Sequence, residues 1–469
     1  MVINLNLPML FQKEELLEAK KDACSNYFEN QYEHKFAFDP FINRQLVSFQ
    51  ANKGKPGYRW YKFKEAFSTS LVEYLLNKYQ VNKGSILDPF AGSGTSLFTA
   101  SNLGLNADGI ELLPIGQEII KSRLNIENHF TNSDRDRVVE WIQNRPWESA
   151  KVDFHLTELK ITISAYPEQT KREIESYLLL LQREVPTVSM VLKFALLCIL
   201  EEISYTRKDG QYLRWDVRAQ KNLRSSSTFN KGKINEFSES IVHKLTEIIE
   251  DYELIKPHEG AGLIRLFSGS NLEVLPTIVE SSYDAIFTSP PYCNRYDYTR
   301  TYALELALLG INDEQLKTLR QQMLSSTVEN RSKELLDIKS EWVLPLQITR
   351  ENMFLQEILE DLNKLKMSRQ LNNVGIPRMV KGYFDEMSCI IFECYRLLKN
   401  NARLFMVNDN VRYSGISIPV DVILSNIAEK IGFYVEKIVV LKNGKGNSSQ
   451  QMGKHGRDEL RKCIYIWRK

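Results

Sequence analysis

A short apolar strand, predicted over Ser85 to Leu87, runs without a break into Asp88, Pro89, Phe90, Ala91, Gly92, Ser93, Gly94 and Thr95, and a helical stretch follows as far as Gly104. This junction restricts the chain more than any other feature. A strand that turns through glycines directly into a helix opens a β-α-β unit of a doubly wound sheet. Gly92 and Gly94 permit the tight turn and let a ligand approach the backbone. Taken alone, the turn leaves a structural role or a dinucleotide ligand open as alternatives. Two details argue against both. No Gly-Lys-Ser/Thr ending follows, and Asp88 at the strand end would repel a pyrophosphate while suiting an ammonium group. The next predicted strand, Ala107 to Ile110, ends on Glu111, where a carboxylate accepts hydrogen bonds from a ribose diol in doubly wound folds.

A second apolar strand, Tyr283 to Phe287, leads straight into Thr288, Ser289, Pro290, Pro291 and Tyr292. Two consecutive prolines fix φ and remove two backbone donors, so the turn presents carbonyls. Beside a hydroxyl and an aromatic ring, such a turn suits an exocyclic amino group. Ser289 and the Pro290 carbonyl accept the amino protons, and Tyr292 stacks on the base. These contacts draw the nitrogen lone pair out of ring conjugation and toward an electrophilic methyl group. Transfer is then a direct in-line displacement without a covalent enzyme intermediate. It needs no catalytic cysteine, and Cys293 reads as a small packed residue. Elsewhere Pro-Pro-Tyr serves as a surface ligand for small domains; its place directly after a strand argues against that here.

Together the two segments resemble the DNA amino-methyltransferases, which make N4-methylcytosine and N6-methyladenine. Asp88 to Thr95 is similar to the family's cofactor motif, and Thr288 to Tyr292 to its catalytic motif in the Ser-Pro-Pro-Tyr form typical of cytosine-N4 enzymes. The segment Arg59-Trp-Tyr-Lys-Phe-Lys-Glu-Ala-Phe-Ser68 is similar to the motif preceding the first strand. The resemblance implies that Phe67 and Ser68 help hold the methionine end of S-adenosylmethionine, that Glu111 binds its ribose, and that Asn271 lies near its adenine. It also implies a Rossmann-like α/β methyltransferase fold, a seven-stranded sheet with a reversed edge strand. The cofactor motif here precedes the catalytic motif with a long insertion between them, so the chain does not follow the family's usual circular orders in an obvious way. N6-adenine and RNA methylation stay open as alternatives, because both use related turns.

The remaining chain divides into an N-terminal arm (1–57), a catalytic domain (58–124 and 260–469) and a mainly helical insertion (125–259), assigned by elimination to target recognition. Within the insertion, Arg207, Lys208, Arg214, Arg218, Lys221, Arg224, Lys231 and Lys233 stand against only Asp209 and Asp216, with Tyr205, Tyr212 and Trp215 interleaved. Local clustering of this kind suits a phosphate backbone, and a solvated basic face is the competing explanation. The first six of these cations are the candidate contacts to double-stranded DNA. A glycine-rich basic loop, 442–457, is a candidate to close over the site or to serve as a plain hairpin connection.

Bulk charge adds nothing to this, since 61 Lys and Arg against 59 Asp and Glu leave a formal net charge of +2. Six cysteines with no CxxC pair or ligand spacing argue against a disulfide scaffold or a metal site and fit a reducing cytoplasm. The N-terminus becomes charged too soon for a signal peptide, and the longest apolar run is broken by Lys193, so a soluble cytoplasmic protein with no membrane partner is expected. A cognate restriction endonuclease is the expected functional companion.

Overall fold

The computed structural model describes residues 30–149, 154–209, 213–219, 228–442 and 460–469. Most of the N-terminal arm, Tyr212, Lys221, Arg224 and the glycine-rich loop beyond Lys442 lie outside the described residues.

The chain enters with a two-residue strand, β1 (Phe36–Ala37), and a helix, Thr69–Lys78. Then β2 (Ser85–Asp88), a helix Thr95–Asn102 and β3 (Asn106–Glu111) form the expected β-α-β unit. The next described segment holds the helices Pro114–Asn128, Asn132–Asn144, Glu168–Leu181 and Pro186–Ile199, a small sheet of β4 (Thr206–Lys208), β5 (Leu213–Asp216) and β6 (Thr228–Phe229), and the helix Phe237–Tyr252. The chain rejoins the main sheet as β7 (Ile264–Ser268), β8 (Tyr283–Thr288) and β9 (Leu398–Asp409), with the helix Ile376–Leu397 before β9. A hairpin of β10 (Val411–Tyr413) and β11 (Ile416–Ile418), the helix Val420–Ile431, β12 (Tyr434–Val440) and β13 (Lys462–Arg468) complete it.

Strand order across the main sheet is β1-β12-β13-β9-β8-β2-β3-β7. Seven of these strands give the expected methyltransferase arrangement, with β13 antiparallel to both its neighbours. The reversed strand does not form the rim. It lies between β9 and β12, and β1 adds a further parallel pairing outside β12.

Successive residues of each strand point to opposite faces, and the apolar runs divide accordingly. Leu87, Ile286, Leu404, Met406, Tyr465 and Trp467 join the core beneath helices Ile376–Leu397 and Val420–Ile431. Ile86, Ala285, Phe287, Phe405, Val407, Ile464 and Ile466 join the core beneath helices Thr69–Lys78 and Thr95–Asn102. Helices on both faces explain why these strands are continuously apolar. The insertion has a third core, which it shares with Trp60, Tyr61, Phe63, Tyr302 and Leu306.

Helix Ile376–Leu397 carries Pro377 in its first turn, where a missing N–H costs nothing. The insertion, expected to be mainly helical, also contains the three-stranded sheet in its basic region.

β2 lies between β8 and β3, so its end is the point where the chain's progress across the sheet reverses and a crevice opens. Gly94 makes the turn there with φ +77°, and an added Cβ would lie 2.9 Å from Ile120 and 3.0 Å from Phe98. Gly94→Ala is expected to lower stability by about 1–3 kcal/mol through backbone strain and overpacking. A urea or thermal midpoint equal to that of the native protein would contradict this.

Candidate active site

The two motifs touch at their bases. Asp88, at the end of β2, accepts hydrogen bonds from the Phe90 N–H (3.0 Å), the Thr288 hydroxyl (2.8 Å) and the Ser96 hydroxyl. Thr288 ends β8, so one buried carboxylate ties the cofactor turn to the catalytic turn. Burial pushes this carboxyl up to about 6, and the three donors oppose that rise.

Glu111 closes the other side. Its two oxygens accept from the N–H of Gly92 (2.6 Å) and of Leu113 (2.7 Å), and burial pushes its carboxyl up to about 7. Gly92 turns with φ +56°, and an added Cβ would lie 3.3 Å from the Phe63 ring. The Asn271 amide donates to the Pro89 carbonyl. Around these groups is a cavity lined by Phe67, Pro89, Phe90, Ala91, Gly92, Thr95, Glu111, Asn271, Ser289 and Pro291 among the residues singled out from the sequence. Phe63, Leu113, Met323 and Leu324 extend its apolar wall, and Ser93 contributes a hydroxyl. Among the described residues no Lys or Arg lines it. Apolar walls, two carboxylates (Glu65 and Glu111) and, among the described residues, no lining cation suit a purine nucleoside carrying a thioether or sulfonium better than a pyrophosphate.

A second cavity opens on the other side of the catalytic turn, lined by Ser289, Pro290, Tyr292, Asn294, Tyr296, Asp409, Lys462 and Lys208 among others. The Ser289 hydroxyl donates to the Val407 carbonyl at 3.1 Å, which leaves its lone pairs as acceptors. Tyr292 lies 3.4 Å from both the Ser289 hydroxyl and the Lys462 ammonium. Lys462, from the final strand β13, also pairs with Asp409 at 3.5 Å. Burial works against its charge, but Tyr292 and Asp409 hold its proton affinity above the ordinary lysine range. Burial raises Asp409 and the Tyr292 hydroxyl in turn. Among the described residues, three line both cavities: Glu65, Ser289 and Tyr298.

Several sequence-derived candidates have other surroundings. Ser68 is fully buried, caps helix Thr69–Lys78 by accepting from the Leu71 N–H at 3.3 Å, and does not line the cavity. Asp88 and Gly94 shape the turn from beneath without lining the cavity. Pro291 faces the first cavity, whereas Pro290 and Tyr292 face the second.

The basic cluster divides by strand alternation. Lys208 is 6% exposed, its ammonium ion-paired with Glu305 and 3.0 Å from the Tyr61 hydroxyl, so it is no free phosphate contact. Lys231 is likewise engaged, donating to the carbonyls of Glu201 and Ser204. Arg218 clamps Asp216 with two hydrogen bonds, 2.6 and 3.0 Å. Arg207 is exposed and Arg214 half-buried, and both guanidinium groups lie over the Phe229 ring.

Residues that the sequence reading missed, namely Phe63, Glu65, Tyr296, Tyr298, Asp409 and Lys462, come from four separate stretches of chain. Only Phe63 and Glu65 had a signal, since they fall inside the Arg59–Ser68 segment already singled out.

Among the described residues no helix is long and apolar enough to cross a membrane. Residues 10–124 match the family model described as DNA methylase. The chain is 54% identical over 449 residues to the type II methyltransferase M.AvaI of Nostoc sp. (strain PCC 7120), covering 94% of this chain and 92% of that one. It is 42% identical over 469 residues to the type II methyltransferase M.BsoBI of Geobacillus stearothermophilus, covering 94% and 91%. A shorter stretch of 112 residues is 30% identical to the type II methyltransferase M.MjaII of Methanocaldococcus jannaschii, covering 22% of this chain.

Proposed function

The chain belongs to the type II DNA methyltransferases of the family that methylates exocyclic amino groups, N6 of adenine or N4 of cytosine, and on that premise we propose that its target is N4 of cytosine within a short site. Its methyl donor is S-adenosylmethionine. The observation that carries the proposal is the meeting of two cavities at Ser289, in a turn of the Ser-Pro-Pro-Tyr form.

The first cavity is the cofactor site in this reading. Glu111 accepts the ribose hydroxyls, Asn271 and the apolar wall flank the adenine, and Phe67 with the turn Pro89, Phe90, Ala91, Gly92 and Thr95 holds the remainder. Asp88 and Gly94 act through the shape of that turn, and Ser68 through the helix it caps. When bound, the donor supplies an electrophilic methyl group on a sulfonium.

The second cavity receives the base, which must leave the duplex to reach it. Tyr292 stacks on the ring. The Pro290 carbonyl accepts one amino proton and Ser289 the other, and Ser289 can only accept because its own proton is committed to Val407. Pro291 stiffens the turn so that these acceptors are positioned before the base arrives. Arg207, Arg214 and the outer side of Arg218 reach solvent and are the cations we propose to meet phosphates, and Lys221 and Arg224 extend the same basic segment. We assign target recognition to the insertion for this reason, and propose a cognate endonuclease as the functional companion.

The test is incubation of the purified protein with tritiated S-adenosylmethionine and unmethylated genomic DNA, then digestion to nucleosides and mass spectrometry. N4-methyldeoxycytidine is the expected product. N6-methyldeoxyadenosine would keep the chemistry and overturn the base, and label confined to RNA or protein would overturn the substrate.

A further inference from the structure

We infer that the Glu65 carboxylate takes up the proton which the target amino nitrogen releases when it is methylated. The inference rests on the reading of the two cavities as cofactor and base sites, and applies whichever base is methylated. Of the three residues common to both cavities, Glu65 is the only carboxylate, and the others are Ser289 and Tyr298. A group shared by both walls stands where the donor and the acceptor of the methyl group must meet.

The atoms balance as follows. The amino nitrogen's lone pair forms the N–CH₃ bond while the sulfur–methyl bond breaks and its electron pair stays on sulfur. The nitrogen then carries a positive charge and two protons, and one proton leaves with its N–H electron pair remaining on nitrogen. The two acceptors on the catalytic turn are poor destinations for it. The Pro290 carbonyl is a weak base, and the Ser289 hydroxyl already carries a proton that it donates to Val407. A carboxylate both stabilises the cation as it develops and accepts the proton.

The surroundings of Glu65 suit this task. Tyr296 donates its hydroxyl to one oxygen and Tyr302 to the other. An ionised carboxylate has about four acceptor positions, so two hydroxyl donors fix its orientation and leave capacity for a third proton. Tyr302 is itself fully buried and stacks on Phe63, with ring centroids 5.3 Å apart. Glu65 is therefore held by rigid partners on the wall between the two cavities.

The experiment compares full-length Glu65→Gln with the double variant Tyr296→Phe/Tyr302→Phe in single-turnover methylation of DNA, alongside the affinities of each for S-adenosylmethionine and DNA. Glu65→Gln keeps size and polarity but cannot hold the proton, and the account expects its rate to fall by about 10²–10³-fold with both affinities retained. The double variant leaves the carboxylate in place but frees its orientation, and is expected to be slower than the native protein and clearly faster than Glu65→Gln. Added formate is expected to restore part of the rate of Glu65→Ala, which a purely structural role would not allow. A Glu65→Gln rate near the native one, a double variant as slow as Glu65→Gln, or no response to formate would overturn the inference. A native protein that methylates no DNA would instead overturn the reading on which it rests.

Discussion

Ser289→Ala and Tyr292→Ala are each expected to slow methyl transfer by about 10²–10³-fold while leaving the affinity for S-adenosylmethionine within about threefold of native. The reasoning is positional. Tyr292 lines the second cavity and not the first, so shortening it removes the stacking surface for the base without touching the cofactor wall. Ser289 lines both, but alanine retains its Cβ and removes only the hydroxyl whose proton is fixed on Val407. What is lost is an acceptor for an amino proton, an interaction that strengthens as the nitrogen becomes cationic and therefore acts mainly in the transition state. Rapid-quench single turnovers and equilibrium titration with the cofactor separate the two quantities. A collapse of cofactor affinity in either variant would show that the roles of the two cavities have been misassigned.

Glu111→Ala is expected to weaken cofactor binding by about 10²–10³-fold, because two charge-assisted hydrogen bonds to ribose hydroxyls are worth roughly 1.5–3 kcal/mol each and some of that is recovered by water. The turn also suffers, since Glu111 anchors the N–H groups of Gly92 and Leu113. A pH dependence accompanies this. Burial pushes the Glu111 carboxyl up to about 7, and hydroxyl donors favour its ionised form. Below that value a proton must leave before the cofactor binds well, so affinity is expected to rise as pH increases from about 6 to 8 and then to level off. Stability of the free protein runs the opposite way. A carboxyl raised above its unfolded value of about 4.3 favours the fold while protonated, and this contribution is lost as pH rises through about 7. Calorimetric titrations across this range check both signs, and Glu111→Gln is expected to flatten the affinity profile. An unchanged slope in that variant would remove Glu111 from the cofactor site.

The parts of the fold that could be read from sequence are those where local chemistry and topology coincide. A strand running into Asp88–Thr95 and a strand running into Ser289–Tyr292 each carry their own turn, and the sheet places both at its carboxyl edge. The rank of β13 was not readable in this way, because nothing within Lys462–Arg468 encodes whether it pairs outside β12 or slips between β12 and β9. Ser68 was read by its place in a motif, when its position before a helix marks it equally as a cap. Lys208 was counted with its basic neighbours, although alternation along Thr206–Lys208 turns Arg207 outward and Lys208 inward onto Glu305. Asp409 and Lys462 are distant in sequence from the catalytic turn, and only the sheet order brings them beside Tyr292. Glu65 lay within a recognised segment, but its partners Tyr296 and Tyr302 are far along the chain. Convergence of this kind leaves no local trace.

The central claim is that cofactor and target base occupy the two cavities that meet at Ser289. The most direct measurement is a crystal structure of the protein with S-adenosylhomocysteine and duplex DNA carrying its recognition site. The account predicts the nucleoside beside Glu111 and Asn271, and an extruded cytosine stacked on Tyr292 with its amino group at Ser289 and Glu65. A nucleoside in the cavity lined by Tyr292, Asp409 and Lys462, or a base bound away from the catalytic turn, would contradict it.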